Sequence, residues 1–207
     1  MTRQITTVAA LMLYQEGKFK MDDPIQMYLP EFEDQRVLID PQSTNINQTK
    51  DRLNDITIQH LITHTSGLGS RSSQLYRENR VRDKNFTLDQ VVSNAAQTPL
   101  FQDPGTEFRY GIHATILGKL IEVWSGRPLD EFLENELLSK LDMNSTMFWA
   151  DGRYQDRVVT VYRPINGELA PYQIETVPFT NRPQLIEGGV GLLSSVLDFV
   201  NFSQLHR

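Results

Sequence analysis

Cysteine is absent from the 207 residues. That absence excludes a disulfide framework, a thiolate metal site and a thiol nucleophile. Long apolar runs are also lacking, since none approaches the ~18 consecutive residues that a membrane-spanning helix needs. With 12 Gly and 10 Pro, the chain has too little of either for a collagen-like or low-complexity sequence. Basic residues are outnumbered, 20 Lys+Arg against 26 Asp+Glu, for a net charge of −6. That balance argues against a nucleic-acid partner, which selects for a basic face. Several signatures are missing too: G-x-S-x-G, H-E-x-x-H, a Walker loop and a dinucleotide-binding G-x-G-x-x-G. Gly189-Val190-Gly191 is too short to stand for the last of these, so no cofactor is expected. What is present is a 39% hydrophobic content, enough for a real core. With no repeat and no linker, residues 1–207 read as a single domain.

Periodicity predicts the elements. Ile5, Val8, Ala9, Met12 and Leu13 recur at helical spacing and Gly17 follows as a stop, so the chain opens on a largely apolar, buried helix. No secretory-signal pattern precedes it. A domain that begins inside a buried helix is expected to be a truncated one. Asp22-Asp23-Pro24 reads as a short helix start, and the polar stretch 33–55 as a surface loop. Thr57 and Thr87 are candidate N-caps for helices over 58–63 and 88–96, and 70–85 has no clear period. The strongest helix pattern runs from Tyr110 to Trp124 and closes at Ser125-Gly126. Pro128 opens another helix. Val158–Tyr162 and Leu169–Tyr172 read as a hairpin around Asn166-Gly167, and Ser195 caps a last helix towards Leu205.

Two places could carry chemistry. His60 and His64 stand four apart, the spacing that lets two imidazoles share a metal. No third ligand is marked by spacing, so the pair reads better as histidines pinning the Thr65-Ser66-Gly67 turn, and no metal is expected. Tyr110 follows a Pro-Gly turn at a predicted helix start, where a polar side chain can face a cleft. A tyrosine hydroxyl can serve as a base where a neighbouring cation favours the phenolate, although a lone tyrosine is far more often core or interface.

Five blocks add context, in order along nearly the whole chain. They are Met1-Thr2-Arg3-Gln4-Ile5-Thr6 on to Gly17; Met21-Asp22-Asp23-Pro24-Ile25 with Tyr28-Leu29-Pro30; and Ile56-Thr57-Ile58-Gln59-His60-Leu61-Ile62-Thr63-His64-Thr65-Ser66-Gly67-Leu68, the most specific. Pro99-Leu100-Phe101 follows, with Pro104-Gly105, Phe108, Tyr110, Leu117-Gly118 and Ser125-Gly126, and then Gly188-Gly189-Val190-Gly191-Leu192-Leu193-Ser194-Ser195. Together they resemble the serine β-lactamase superfamily, which includes class C β-lactamases, DD-peptidases and family VIII-type esterases.

The resemblance implies an α+β, β-lactamase/DD-peptidase-like fold. This chain would hold mainly the helical region, with most of the mixed sheet missing and an apolar face left open. It also implies acyl transfer on small-molecule esters or amides through a serine acyl-enzyme, in a family often periplasmic or secreted. The family serine, in S-x-x-K, would sit immediately before Met1, and the late K-T-G or H-x-G motif beyond Arg207. The chain as written is therefore expected to be an inactive fragment or degenerate member, or else a folded non-catalytic relative acting as a binding module. Tyr110 matches the family tyrosine. Arg3 stands at the lysine position; a guanidinium keeps the positive charge but cannot give up its proton. Ile112 stands at the asparagine position of Y-x-N, where it can offer no hydrogen bond to an amide-bearing substrate.

Overall fold

The computed structural model describes residues 1–172 and 181–206. Helices dominate. α1 (Thr2–Gln15) packs along α5 (His113–Ser125), which also meets α2 (Ile58–Ile62), α4 (Leu88–Gln97) and α6 (Leu129–Leu133). α5 is the central post, with Ile116, Leu120 and Ile121 wholly buried. α1 buries Ile5, Ala9, Ala10 and Leu13 against the core, while Tyr14 at its far end is exposed. Gly17 takes the left-handed conformation (φ 73°) just past the helix, which glycine adopts without strain. Gly126 does the same after α5 (φ 68°).

Both predicted threonine caps form, each as a reciprocal box. Thr57 Oγ1 accepts from the His60 backbone N–H while the Thr57 N–H donates to His60 Nδ1. Thr87 pairs with Gln90 in the same way. Ser195 caps α7 (Val196–Ser203) by accepting from the Asp198 N–H.

Three expectations change. The segment 33–55 is not simply a surface loop. It contains the antiparallel pair β1 (Val37–Leu38) and β2 (Thr49–Lys50), and both residues of β1 are buried. Leu38 N–H donates to Leu100 O and Leu100 N–H to Arg36 O, so a strand-like tie to a distant segment draws two apolar residues out of a polar stretch. The aperiodic 70–85 stretch contains α3 (Gln74–Glu78), too short to show a period, which buries Leu75 and Tyr76. The hairpin is displaced along the chain: β3 (Tyr162–Ile165) pairs with β4 (Glu168–Pro171). Asn166 (φ 52°) and Gly167 (φ 87°) are both left-handed, the geometry of a two-residue turn. That turn sets the register, pairing Ile165 with Glu168.

Among the described residues the strands form only two two-stranded ribbons, so the helical region outweighs the sheet, as the resemblance implied. No helix among the described residues is long and apolar enough to cross a membrane. An apolar face is open on α7, where Val196 and Leu197 are 81% and 76% exposed.

Candidate functional site

The first turn of α1, the approach to α5 and the loop after α2 converge on one place. Gly111 lies so close to the Gly69 carbonyl that a Cβ there would sit 2.4 Å from the oxygen. Ile112 N–H donates to that same carbonyl at 3.0 Å, and Ile112 becomes the residue that precedes α5. α5 therefore starts at His113, three residues later than Tyr110. Tyr110 lies in the irregular segment leading into the helix, and 55% of it is exposed.

Arg3 reaches across from α1. Its Nη1 donates to Gly111 O at 2.6 Å, and its guanidinium carbon lies 4.2 Å from the Tyr110 ring centroid. A cation over a tyrosine face at this range is attracted by the ring quadrupole. Burial lowers the Arg3 pKa from its ordinary value, with the Tyr110 and Glu187 charges opposing that shift. Two of the sequence-predicted residues are thus brought into contact. The third, Ile112, is 3% exposed and packs into the core.

The two histidines of the HTSG-type block part company. His60 belongs to the Thr57 box and packs against Gly105. His64 turns the other way. Its backbone is left-handed (φ 58°), unusual for a non-glycine residue and held here by the Arg109 N–H donating to His64 O at 2.8 Å. The His64 ring stacks on Tyr110 at 5.2 Å between centroids and meets the edge of Phe108 at 5.8 Å. Its Nδ1 lies 3.1 Å from Nδ1 of His113, a wholly buried residue. Burial lowers the His64 pKa, and the Arg3 charge adds to this. Burial, followed by the charge of His64, takes His113 down to about 3. Among the described residues no group of three or more metal-ligating side chains forms.

Behind the site lies a buried network that sequence reasoning missed. Glu187 Oε1 accepts from Arg82 Nε at 2.5 Å and its Oε2 from Thr115 Oγ1 at 2.6 Å; the two charged side chains are 3% and 8% exposed. Glu187 opens the glycine segment 188–191. There Gly188 O accepts from Thr6 Oγ1 at 2.9 Å, and the Leu192 N–H donates to Thr2 Oγ1 at 3.2 Å. A Cβ at Gly188 would meet Ala114 O at 2.2 Å and the Thr6 side chain at 2.6 Å, so this loop meets α5 at its backbone and α1 through Thr6. The only sequence signal was a carboxylate directly before a Gly-Gly pair. Its partner is 105 residues away in the chain. A separate cavity of about 370 Å³ opens between α6 and residues 143–154, lined by Leu138, Met143, Phe148 and Trp149. None of Arg3, His64, Tyr110 or His113 lines it.

The family model for β-lactamase matches residues 1–207, and the chain belongs to that family. Among curated relatives, Protein Rv1367c of Mycobacterium tuberculosis is 28% identical over 99% of this chain and 52% of its own length. The ML-236A carboxylate methylbutanoyltransferase mlcH of Penicillium citrinum is 30% identical over 71% of this chain and 36% of its own. Esterase EstB of Burkholderia gladioli is 29% identical over the same shares. The chain therefore spans about half, or less, of the length of the curated relatives it matches. Among solved structures, the hydrolase EstCE1 superposes with a TM-score of 0.81 at 24% identity, covering 97% of this chain and 55% of that one. A penicillin-binding protein homologue from Pyrococcus abyssi superposes with 0.69 at 24% identity, over 99% and 43%. At these identities the superpositions establish the β-lactamase/DD-peptidase-like fold. The family to which the chain belongs contains acyltransferases and esterases.

Proposed function

We propose that this chain forms one wall of a serine acyl-transfer site that acts on small-molecule esters, with Tyr110 as the proton-handling phenol and Arg3 as the cation beside it. The observation that carries the reading is the Arg3 guanidinium 4.2 Å from the Tyr110 ring centroid. The register of the α1 block assigns Arg3 to the lysine position, and its approach to Tyr110 supports that reading. The nucleophilic serine of the family falls, in the same register, at the position immediately before Met1. The late-strand motif falls after Arg207. On this reading, acyl-enzyme chemistry draws on both of those positions together with Tyr110 and Arg3.

Arg3 also favours a second reading, in which the protein binds and does not react. A guanidinium is never deprotonated under ordinary conditions, so it can hold charge at Tyr110 but cannot relay a proton as a lysine amine can. Its short bond to Gly111 O commits it further to a fixed donor role. Ile112 adds selectivity in either case, because a buried isoleucine leaves no amide-recognising hydrogen bond at the asparagine position.

The test extends the chain at both ends with the corresponding segments of EstB, placing a serine before Met1. Single-turnover acylation is then measured with p-nitrophenyl butyrate. Acylation lost on Tyr110→Phe supports the acyl-transfer site. Arg3→Lys should raise the rate on the order of 10² to 10⁴, the range of a positioned general acid–base. A folded extended chain that forms no acyl-enzyme with either Arg3 or Lys at that position would leave the binding reading standing.

A further inference from the structure

The contact between His64 and His113 joins two like atoms, Nδ1 to Nδ1 at 3.1 Å, so one nitrogen must donate and the other accept. Two arrangements satisfy that contact. In one, His64 holds the shared proton, and a neutral His113 then carries its own proton on Nε2. In the other, His113 Nδ1–H donates, and a neutral His64 carries its proton on Nε2.

The surroundings decide between them. His113 Nε2 is sealed from solvent without a partner, and an orphaned buried N–H is the rarer and costlier fault. Placing the proton on His113 Nδ1 avoids that orphaned N–H and leaves Nε2 as a bare lone pair. His64 Nδ1 is then an acceptor, and its ring must present Nε2–H. That nitrogen has no partner among the described residues and is not one of the sealed polar atoms. The ring carrying it is stacked on Tyr110, with the Arg3 cation over the same tyrosine.

We propose that His64, locked as the Nε2–H tautomer by the buried His113, donates a hydrogen bond to an acyl carbonyl or carboxylate oxygen bound beside Tyr110. The left-handed His64 backbone has a use on this view, since it aims the ring at Tyr110 and away from the His60 box. Arg3, Tyr110 and His113 are the titratable groups facing His64, from α1, from the approach to α5 and from α5 itself. The inference rests on the acyl-transfer reading for the identity of the oxygen, and not for the tautomer.

The experiment uses the ¹⁵N-labelled chain and long-range ¹⁵N–¹H correlations of its imidazoles near pH 7.5. His64 should show the Nε2–H form, and His113 the Nδ1–H form, in about tenfold excess or more, the worth of one hydrogen bond of ordinary strength. His113→Asn, which keeps an N–H donor near the Nδ1 position, should preserve the His64 form, and His113→Leu should release it. If the leucine variant does not fold, the unsubstituted protein and the asparagine variant still decide. Butyrate is then titrated as the probe; it should shift the His64 Nε2–H signal, and His64→Phe should weaken its binding several-fold. A predominant Nδ1–H form of His64 would overturn the inference, as would butyrate binding that leaves the His64 signal unmoved. Failure of acylation in the extended chain, with the tautomer and the butyrate shift intact, would count against the acyl-transfer reading alone.

Discussion

Two regions of the molecule are built on different principles. Around the site, α1, α5 and residues 185–191 meet with almost no space: Ile5, Ala9, Ile116 and Leu120 are fully buried, and Gly188 admits no side chain. Away from it, the β3–β4 hairpin turns every residue but one to solvent, and α7 exposes Val196 and Leu197. The first region is fixed by contacts far apart in the chain, such as Thr6 to Gly188 and Arg82 to Glu187. The second is fixed by neighbours, such as the two-residue turn at Asn166-Gly167. Geometry at the site is therefore a property of the whole packed wall, and the Arg3–Tyr110 contact depends on residues that touch neither.

The largest expected effect tests that dependence. Glu187→Ala removes two buried charge-assisted hydrogen bonds, from Arg82 and from Thr115. At roughly 1.5–3 kcal/mol for each such bond, the loss should reach about 3 kcal/mol in urea-unfolding free energy. The same change at Asp151, whose pair with Arg153 lies in water on the outlying side, should leave the urea midpoint where it was. Equal losses at the two sites would dissolve the distinction between the regions.

A smaller effect sharpens it. Gly188→Ala drives a methyl into Ala114 O and the Thr6 side chain, at 2.2 and 2.6 Å, and backbone cannot yield as a flexible side chain can. Overpacking of this kind costs about 1–3 kcal/mol. Gly152 has nothing within 4 Å of the same added atom, so Gly152→Ala should be neutral or slightly stabilising. Thermal unfolding of the two variants measures the contrast directly. The Gly188 variant should also weaken the Arg3 contact with Tyr110, visible as a change in Tyr110 ring shifts.

What could be read in the sequence follows the same division. Elements whose signal is local were legible: the threonine N-caps at Thr57 and Thr87, the glycine stops at Gly17 and Gly126, and the turn at Asn166-Gly167. Tyr110 was a candidate from the Pro-Gly turn before it, whereas its proposed role and that of Arg3 rest on family register, because nothing in the local pattern around Arg3 marks a site. Strand β1 was not legible, since Val37 and Leu38 sit in a polar stretch and are buried by a tie to Leu100. Nor was the hairpin's extent, because strands with both faces in water carry no alternation to read. Glu187 and the His64–His113 contact escaped for a third reason: their partners lie 105 and 49 residues away, and no period or spacing rule reaches so far.

The smallest expected effect, at any single pH, comes from His113 and asks whether the wall keeps that ring neutral. The folded protein takes its pKa down to about 3, chiefly by burial, against an ordinary value near 6.5. Above pH 6.5 the ring is neutral in both folded and unfolded chains and contributes no slope. Below it the unfolded chain binds a proton that the folded chain refuses, so stability falls with falling pH until folded His113 titrates near 3. The limiting slope is about 1.4 kcal/mol per pH unit. His60 and His64, both also lowered by burial, add in the same direction. Carboxylates begin to contribute below about pH 5, which leaves pH 5.0–6.5 as the window in which histidines dominate. Urea-unfolding free energies across that window should fall towards low pH in the unsubstituted chain and fall less steeply in His113→Asn. That variant keeps a donor toward His64 but has no group that titrates there. Parallel curves for the two proteins would mean that water or a carboxylate reaches His113 and lets it charge in the folded state. The wall behind Tyr110 would then be looser than its glycine contacts imply.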